Sequence, residues 1–401
     1  MKRFEIISLV FAFAVALPAT GYAAKQYGPG VTDHQITIGE TAPLSGPVSA
    51  YGAVAKAGLA YFAMVNAHGG VNGRKIKLIL ADDGYNPART VEQVRRLVEE
   101  DHVLLLYAPV GTSTNLAVRK YLNARKIPQL LLASGVPTWN DPAQYPWSMA
   151  GLPSYVTEAE EYARYILAHR PNGRLAVLYQ DDDFGHAYLK GLREGLGSKT
   201  KNIIVATQSF EVTDPTVDSQ VISLAASKAD MFLYAGTSKQ AVQALKEAAQ
   251  LGWHPLKFIS SIASSIERTY VPAGIAASRG TISSTVFLDP KNPTFHDNKG
   301  LQDYLHWVTK YDPKADPYET LSVAAYVEGE LFVHILRKCG DDLTRKNVMW
   351  QAAHLHDVSV PMLWPGVTVS SSPTDYNLFK HLQLIQFDGK QMRPISISGN
   401  G

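Results

Sequence analysis

The sequence predicts an α/β protein of two doubly wound parallel-sheet lobes. Three observations carry that prediction. Short apolar runs alternate with longer stretches of helical period along most of the chain, the pattern of strands joined by crossover helices. The length, 401 residues, favours more than one core at roughly 100–200 residues per domain. The composition, 46% hydrophobic and 18% charged, is that of a globular protein with apolar residues enough to fill those cores.

In chain order, Lys2 and Arg3 precede the apolar run "IISLVFAFAVAL" (6–17), followed by Pro18 and the small residues of "ATGYAA". The run is shorter than the roughly 20 residues a spanning helix needs. Gly21 and Ala23 stand where a signal peptidase reads its substrate, so residues 1–23 are expected to be a cleaved signal peptide and the mature chain periplasmic.

Strands are expected at "ITIGE" (36–40), "KLILA" (77–81), "VLLLY" (103–107), "QLLLA" (129–133), "LAVLY" (175–179), "IIVAT" (203–207), "MFLYA" (231–235), "KFISS" (257–261) and "GTISS" (280–284). Helices fall between them. In "NPARTVEQVRRLVEE" (86–100), Pro87 stands near the start, and Val91, Val94, Leu97 and Val98 share one face. The stretch 140–154 holds three prolines and no period, so it reads as a connector. Beyond residue 285 helices are expected at about 300–311, 319–338 and 344–355, then a late strand at "HLQLIQF" (381–387).

Charge and motif remove most chemistries. Net charge is +2, with 38 basic against 36 acidic residues and no long run of either sign, which argues against nucleic acid as a partner. Cys339 is the only cysteine, so intramolecular disulfides and thiolate clusters are excluded. No G-x-x-x-x-G-K-[ST], G-x-G-x-x-G, H-E-x-x-H or G-x-S-x-G occurs, and His354 and His356 lack a third ligand. No catalytic residue, metal or cofactor is therefore expected. "QDDDFG" (180–185) is read first as a helix cap, with a cleft contact or a metal site left open. "ADDGYNP" (81–87) is read as a capped turn.

What remains is a set of small polar loops at strand ends: "LSGPVSAYG" (44–52), "PVGTSTN" (109–115) and "ASGVPTW" (133–139). Ligands of open α/β sheets collect at the carboxyl ends of the strands. Hydroxyls of Thr112, Ser113, Thr114 and Ser134, with amides near helix starts, suit a carboxylate. Each of these residues is open to the alternative of simply capping a helix.

Several ordered blocks resemble the substrate-binding proteins of branched-chain amino acid type ABC importers. They are "VTDHQITIGETAPLSGPVSAYG" (31–52), "NAHGGVNGRKIKLILADDGYNPARTVEQVRRLV" (66–98), "YQDDDFGHAYLKGL" (179–192) and "TVDSQVISLAASKADMFLYAG" (216–236). The resemblance implies a type I periplasmic-binding fold: two lobes joined by a three-crossing hinge, with lobe 1 at 31–150 plus 282–360 and lobe 2 at 151–281 plus 361–401. It implies a ligand held by Thr112, Ser113, Ser134, Gly135 and Val136, beside a first turn carrying Ser45 and Tyr51. From the second lobe it implies Phe184, Gly236, Thr237 and Ser238, with Tyr155 and Trp139 as further aromatics. The partner implied is a membrane permease, and a monomer suits such a shuttle.

One departure bears on the ligand. Relatives that bind amino acids place an acid just after the strand at 257–261, to pair the ammonium. Here Ile262 or Ala263 stands there, and Glu267 lies several residues later. A buried ammonium without a partner is costly, so a hydrophobic or aromatic carboxylate is the expected ligand. Hydrophobic amino acids remain the alternative, with Asp183 or Glu267 as the acid. A ligand sensor for a membrane receptor is another. The family's first-lobe disulfide is absent, Cys339 having no partner.

Overall fold

The computed structural model describes residues 25–397; the expected signal peptide, residues 1–23, lies outside them. The first sheet is built from β1 (Gln35–Ala42), β2 (Lys75–Asp82), β3 (Leu106–Tyr107), β4 (Gln129–Leu132) and β5 (Ser148–Ala150). All pair in parallel, in the order β2-β1-β3-β4-β5. Its crossover helices are α1 (Gly52–Ala67), α2 (Pro87–Glu99) and α3 (Thr112–Ala124).

The second lobe starts at α4 (Tyr155–His169), then runs β6 (Leu175–Gln180), α5 (Asp183–Leu196), β7 (Ile204–Phe210), α6 (Asp218–Ala226), β8 (Met231–Ala235), α7 (Ser238–Gln250), β9 (Leu256–Ile259) and β10 (Ile282–Thr285). These strands are parallel, in the order β7-β6-β8-β9-β10. Both sheets thus repeat one doubly wound order, whose direction reverses beside the first strand of each. Loops leaving the strand ends on either side of that reversal form a crevice.

After β10 the chain returns to the first lobe with α8 (Lys299–Tyr311), α9 (Thr320–Cys339) and α10 (Arg345–Ala352). It then crosses back as β11 (Gln383–Phe387) and β12 (Met392–Pro394), which pair antiparallel at the edge of the second sheet. The chain therefore passes between lobes three times. Strand pairing keeps Ile282–Thr285 with the second sheet, and Val360–Phe379 packs into the first core. The second and third crossings consequently fall later than the sequence boundaries at 282 and 361.

The elements follow from their residues. Seven of the eight β1 positions are buried, because helices cover both faces of a parallel sheet. At α2 the Asn86 side chain accepts from the Ala88 and Arg89 amides, Pro87 opens the first turn, and Val94, Leu97 and Val98 turn inward. The long α9 is buried along most of its length and lies so close to α1 that a Cβ at Gly329 would stand 2.3 Å from the Tyr61 ring.

α1 and α9 share the core on one face of the first sheet, while Val94 and Leu97 of α2 and Val118 and Leu122 of α3 fill the other. Cys339 is core: its thiol meets the Ile335 carbonyl at 3.3 Å, and burial pushes it up to about 12. Of "VLLLY" only Leu106–Tyr107 is strand, although the Leu104 amide and Leu105 carbonyl still bond Thr37 and Gly39. β5, three residues inside the proline-rich stretch, is too short for any periodicity to show.

Candidate functional site

The crevice between the lobes holds a cavity of about 160 Å³, enough for a benzene-sized body. From the first lobe it is lined by Val48, Tyr51 and Val54 after β1, by Tyr85 after β2, and by Val110, Gly111 and Thr112 after β3. Tyr155, Phe184, Thr237 and Ile262 line it from the second. The Tyr155 and Phe184 ring centroids are 4.7 Å apart, so the two act as one apolar wall.

Tyr51 joins the lobes. Its hydroxyl donates to the Ile262 carbonyl at 3.0 Å and accepts from the Ser238 amide at 3.1 Å, with the Ser238 hydroxyl also at 3.1 Å. Arg268 lies over the Tyr51 ring, 4.9 Å from its centroid, and donates through Nε to Ser238. Its Nη1 pairs with Glu319 at 2.6 Å, and both side chains are largely buried. Glu319 caps α9 by accepting from the Leu321 amide. One guanidinium thus clasps a second-lobe hydroxyl, a first-lobe ring and a first-lobe helix start.

The polar loops are largely tied to themselves. Ser45 is exposed and does not line the cavity; its hydroxyl donates to Asp82 at 2.7 Å. Burial raises the Asp82 pKa, but the Ser45 hydroxyl and the Gly84, Leu44 and Ser45 amides outweigh it and hold the carboxyl at about 2. Ser134 is fully buried, its hydroxyl 2.7 Å from Thr112 and accepting from Trp139 Nε1 at 2.9 Å. Trp139 is core and does not line the cavity. The Gly135 carbonyl takes the Tyr155 amide, and Val136 is core. Ser113 is half-buried outside the lining.

In the second lobe the Gly236 carbonyl accepts from Ser260, Ser238 sits behind the Tyr51 bond, and Ala263 belongs to the core. Of the residues expected from sequence, Tyr51, Thr112, Tyr155, Phe184, Thr237 and Ile262 come together at the cavity. Asp182 caps α5 by accepting from the Phe184 and Gly185 amides, as the helix-cap reading of "QDDDFG" expects. Among the described residues no three acidic, histidine or cysteine side chains gather to hold a metal.

Sequence reasoning missed Tyr85, Arg268 and Glu319. Tyr85 has a left-handed backbone, φ 58°, rare for a bulky residue and a mark of functional loops. That bend turns the ring into the cleft, where burial holds the phenol well above its usual range. Arg268 arrives through a π-helical turn, Ile266–Tyr270, which carries Glu267 and Arg268 back to the cavity. Two charges in the otherwise neutral "SSIASSIERTY" were the available signal. Glu267 is paired with Lys291. Burial raises its carboxyl pKa even so.

A model of the periplasmic binding protein family matches residues 35–390. The chain belongs to that family. Its members are binding proteins, not enzymes. This binding protein is similar to Leu/Ile/Val-binding protein BraC3 of Rhizobium johnstonii, 26% identical over 339 residues, which are 81% of this chain and 84% of the relative. In structure it is similar to a branched chain amino acid ABC transporter from Thermus thermophilus with bound valine, with TM-score 0.81 and 18% identity over 90% of this chain and 96% of that one. It is likewise similar to a fatty acid ABC transporter substrate-binding protein from Thermomonospora curvata, with TM-score 0.77 and 21% identity over 93% and 96%. The type I fold expected from sequence is thereby established. Among the described residues no helix is long and apolar enough to cross a membrane.

Proposed function

We propose that this chain is the exported, monomeric substrate-binding component of an ABC importer, closing on a small hydrophobic or aromatic carboxylate and delivering it to a membrane permease. The first turn of α3, capped by Gly111 without a side chain, offers amides and a partly positive helix end to the acid group. Tyr51, Tyr85, Tyr155 and Phe184 surround the body. Closure follows from contacts that only the joined lobes make, the Tyr51 and Arg268 bonds above all.

One observation carries the ligand class. Where an ammonium partner is needed, Ile262 and Ala263 stand, the Ile262 carbonyl is already bonded to Tyr51, and Glu267 is neutralised by Lys291. The relatives' names favour a second reading, hydrophobic amino acids.

The test is a thermal-shift panel on mature protein refolded to strip carried-over ligand. Hydrophobic amino acids are paired with deaminated analogues: benzoates, phenylacetates, cinnamates, branched oxo acids and short fatty acids. A ligand at 100 times its Kd stabilises by about 2.7 kcal/mol. Stabilisation by acids without an amine supports the carboxylate reading; stabilisation by leucine or phenylalanine instead overturns it.

A further inference from the structure

The cavity does not end among the aromatic rings. It also reaches Val323, Ala324 and Glu328 of α9. Resting on the carboxylate reading above, we propose that Glu328 recognises a hydroxyl on the ligand's apolar body, at a point remote from the ligand's acid group.

Glu328 is the one charged side chain among the buried residues of α9, only 4% exposed, and it borders the cavity. No hydrogen bond or ion pair engages it among the described residues, and burial alone sets its titration. The ionisable groups coupled to it are Glu40 of β1 and Tyr107 of β3, both raised in part by its charge. Glu40 Oε2 and the Tyr107 hydroxyl are themselves without partners. An unpartnered buried carboxyl costs stability that a leucine or methionine in its place would not. A polar group arriving in the cavity offsets that cost.

The surroundings decide which group. Burial pushes Glu328 up to about 8, and burial together with Glu328 holds Glu40 well above the carboxylate range. At neutral pH Glu328 is therefore a neutral acid, offering one donor and one acceptor. A hydroxyl uses both. An ammonium would require the carboxyl to ionise beside Glu40 and among Val54, Val323 and Ala324, at a desolvation cost to each charge.

Location points the same way. α3 and α9 pack on opposite faces of the first sheet, and both Thr112 and Glu328 line the cavity. With the acid group at the start of α3, as proposed above, the group that meets Glu328 belongs to the far part of the ligand's body.

The experiment is titration calorimetry with each carboxylate from the panel that binds, its hydroxylated isomers, and their amino counterparts. At least one hydroxyl isomer should bind about 10 to 100 times tighter than its parent, the size set by satisfying a buried polar group. Glu328→Met should abolish that preference while still binding the parent acid; Glu328→Gln, whose amide also donates and accepts, should retain it. Should the methionine variant not fold, the wild-type and glutamine arms still decide. Binding indifferent to the hydroxyl overturns the Glu328 assignment and leaves the carboxylate reading standing. So does an amino counterpart that binds tightest and is lost in Glu328→Gln. Failure of every carboxylate overturns both.

Discussion

The two lobes use the same strand order but hold the cleft by different means. In the first lobe the loops after β1, β2, β3 and β4 are fastened to one another: Ser45 to Asp82, Thr112 to Ser134, Ser134 to Trp139. They form a rigid cup whose hydroxyls are mostly spent on keeping its shape. The second lobe contributes a reaching group, Arg268, mounted on the π-helical turn and holding first-lobe partners. Topology alone therefore does not assign the parts. One lobe shapes the site and the other closes it.

The sharpest way to break this contrast is Arg268→Ala. It leaves the Glu319 carboxylate largely buried without its partner and removes the Ser238 bond, costing roughly 3 kcal/mol of closure by the measure of broken buried pairs. Ligand affinity should fall about 100-fold, with small-angle scattering reporting a larger radius at subsaturating ligand. An unchanged affinity would mean that Arg268 is only packing.

The next effect is in the first lobe's core. Because the Glu328 pKa is higher folded than unfolded, the native state holds its proton over a range where the unfolded chain has lost it. Stability should therefore fall as pH rises from about 4.5 to about 8, where the shift ends. Glu328→Gln should flatten that slope in denaturant titrations at several pH values.

Ser134→Ala should be smallest and most telling for the comparison. It strands the buried Trp139 N–H, so stability should drop by about 1–3 kcal/mol. Affinity should stay within about threefold, because the hydroxyl points into the cup's wall. A large loss of affinity at unchanged stability would return Ser134 to the ligand and erase the distinction between the lobes.

The same contrast explains what the sequence made legible. Strand–helix alternation, the caps at Asn86 and Asp182, and the loops around Tyr51, Thr112 and Phe184 are local signals, readable from neighbours in the chain. Ser134 was readable as a polar loop residue but not in its direction, since only the fold brings Trp139 and Thr112 to its hydroxyl. Arg268 and Glu319 are 51 residues apart and meet across the cleft. Nothing in either segment announces the other. Glu328 lies inside a helix legible at 319–338 and becomes notable only because the fold buries it beside Glu40 and Tyr107 at the cavity's edge.

The late return of the chain has a consequence for how the protein comes into being. The first core lacks Leu378 and Phe379, and the second sheet lacks β11, until the last tenth or so of the chain exists. Neither half can be finished as it leaves the ribosome, because each waits for residues made near the end of synthesis. Such distant pairings also slow collapse to the native state. On the exported reading proposed above, that delay serves a chain that threads a membrane before it folds: the knot of contacts ties only when the whole string is through.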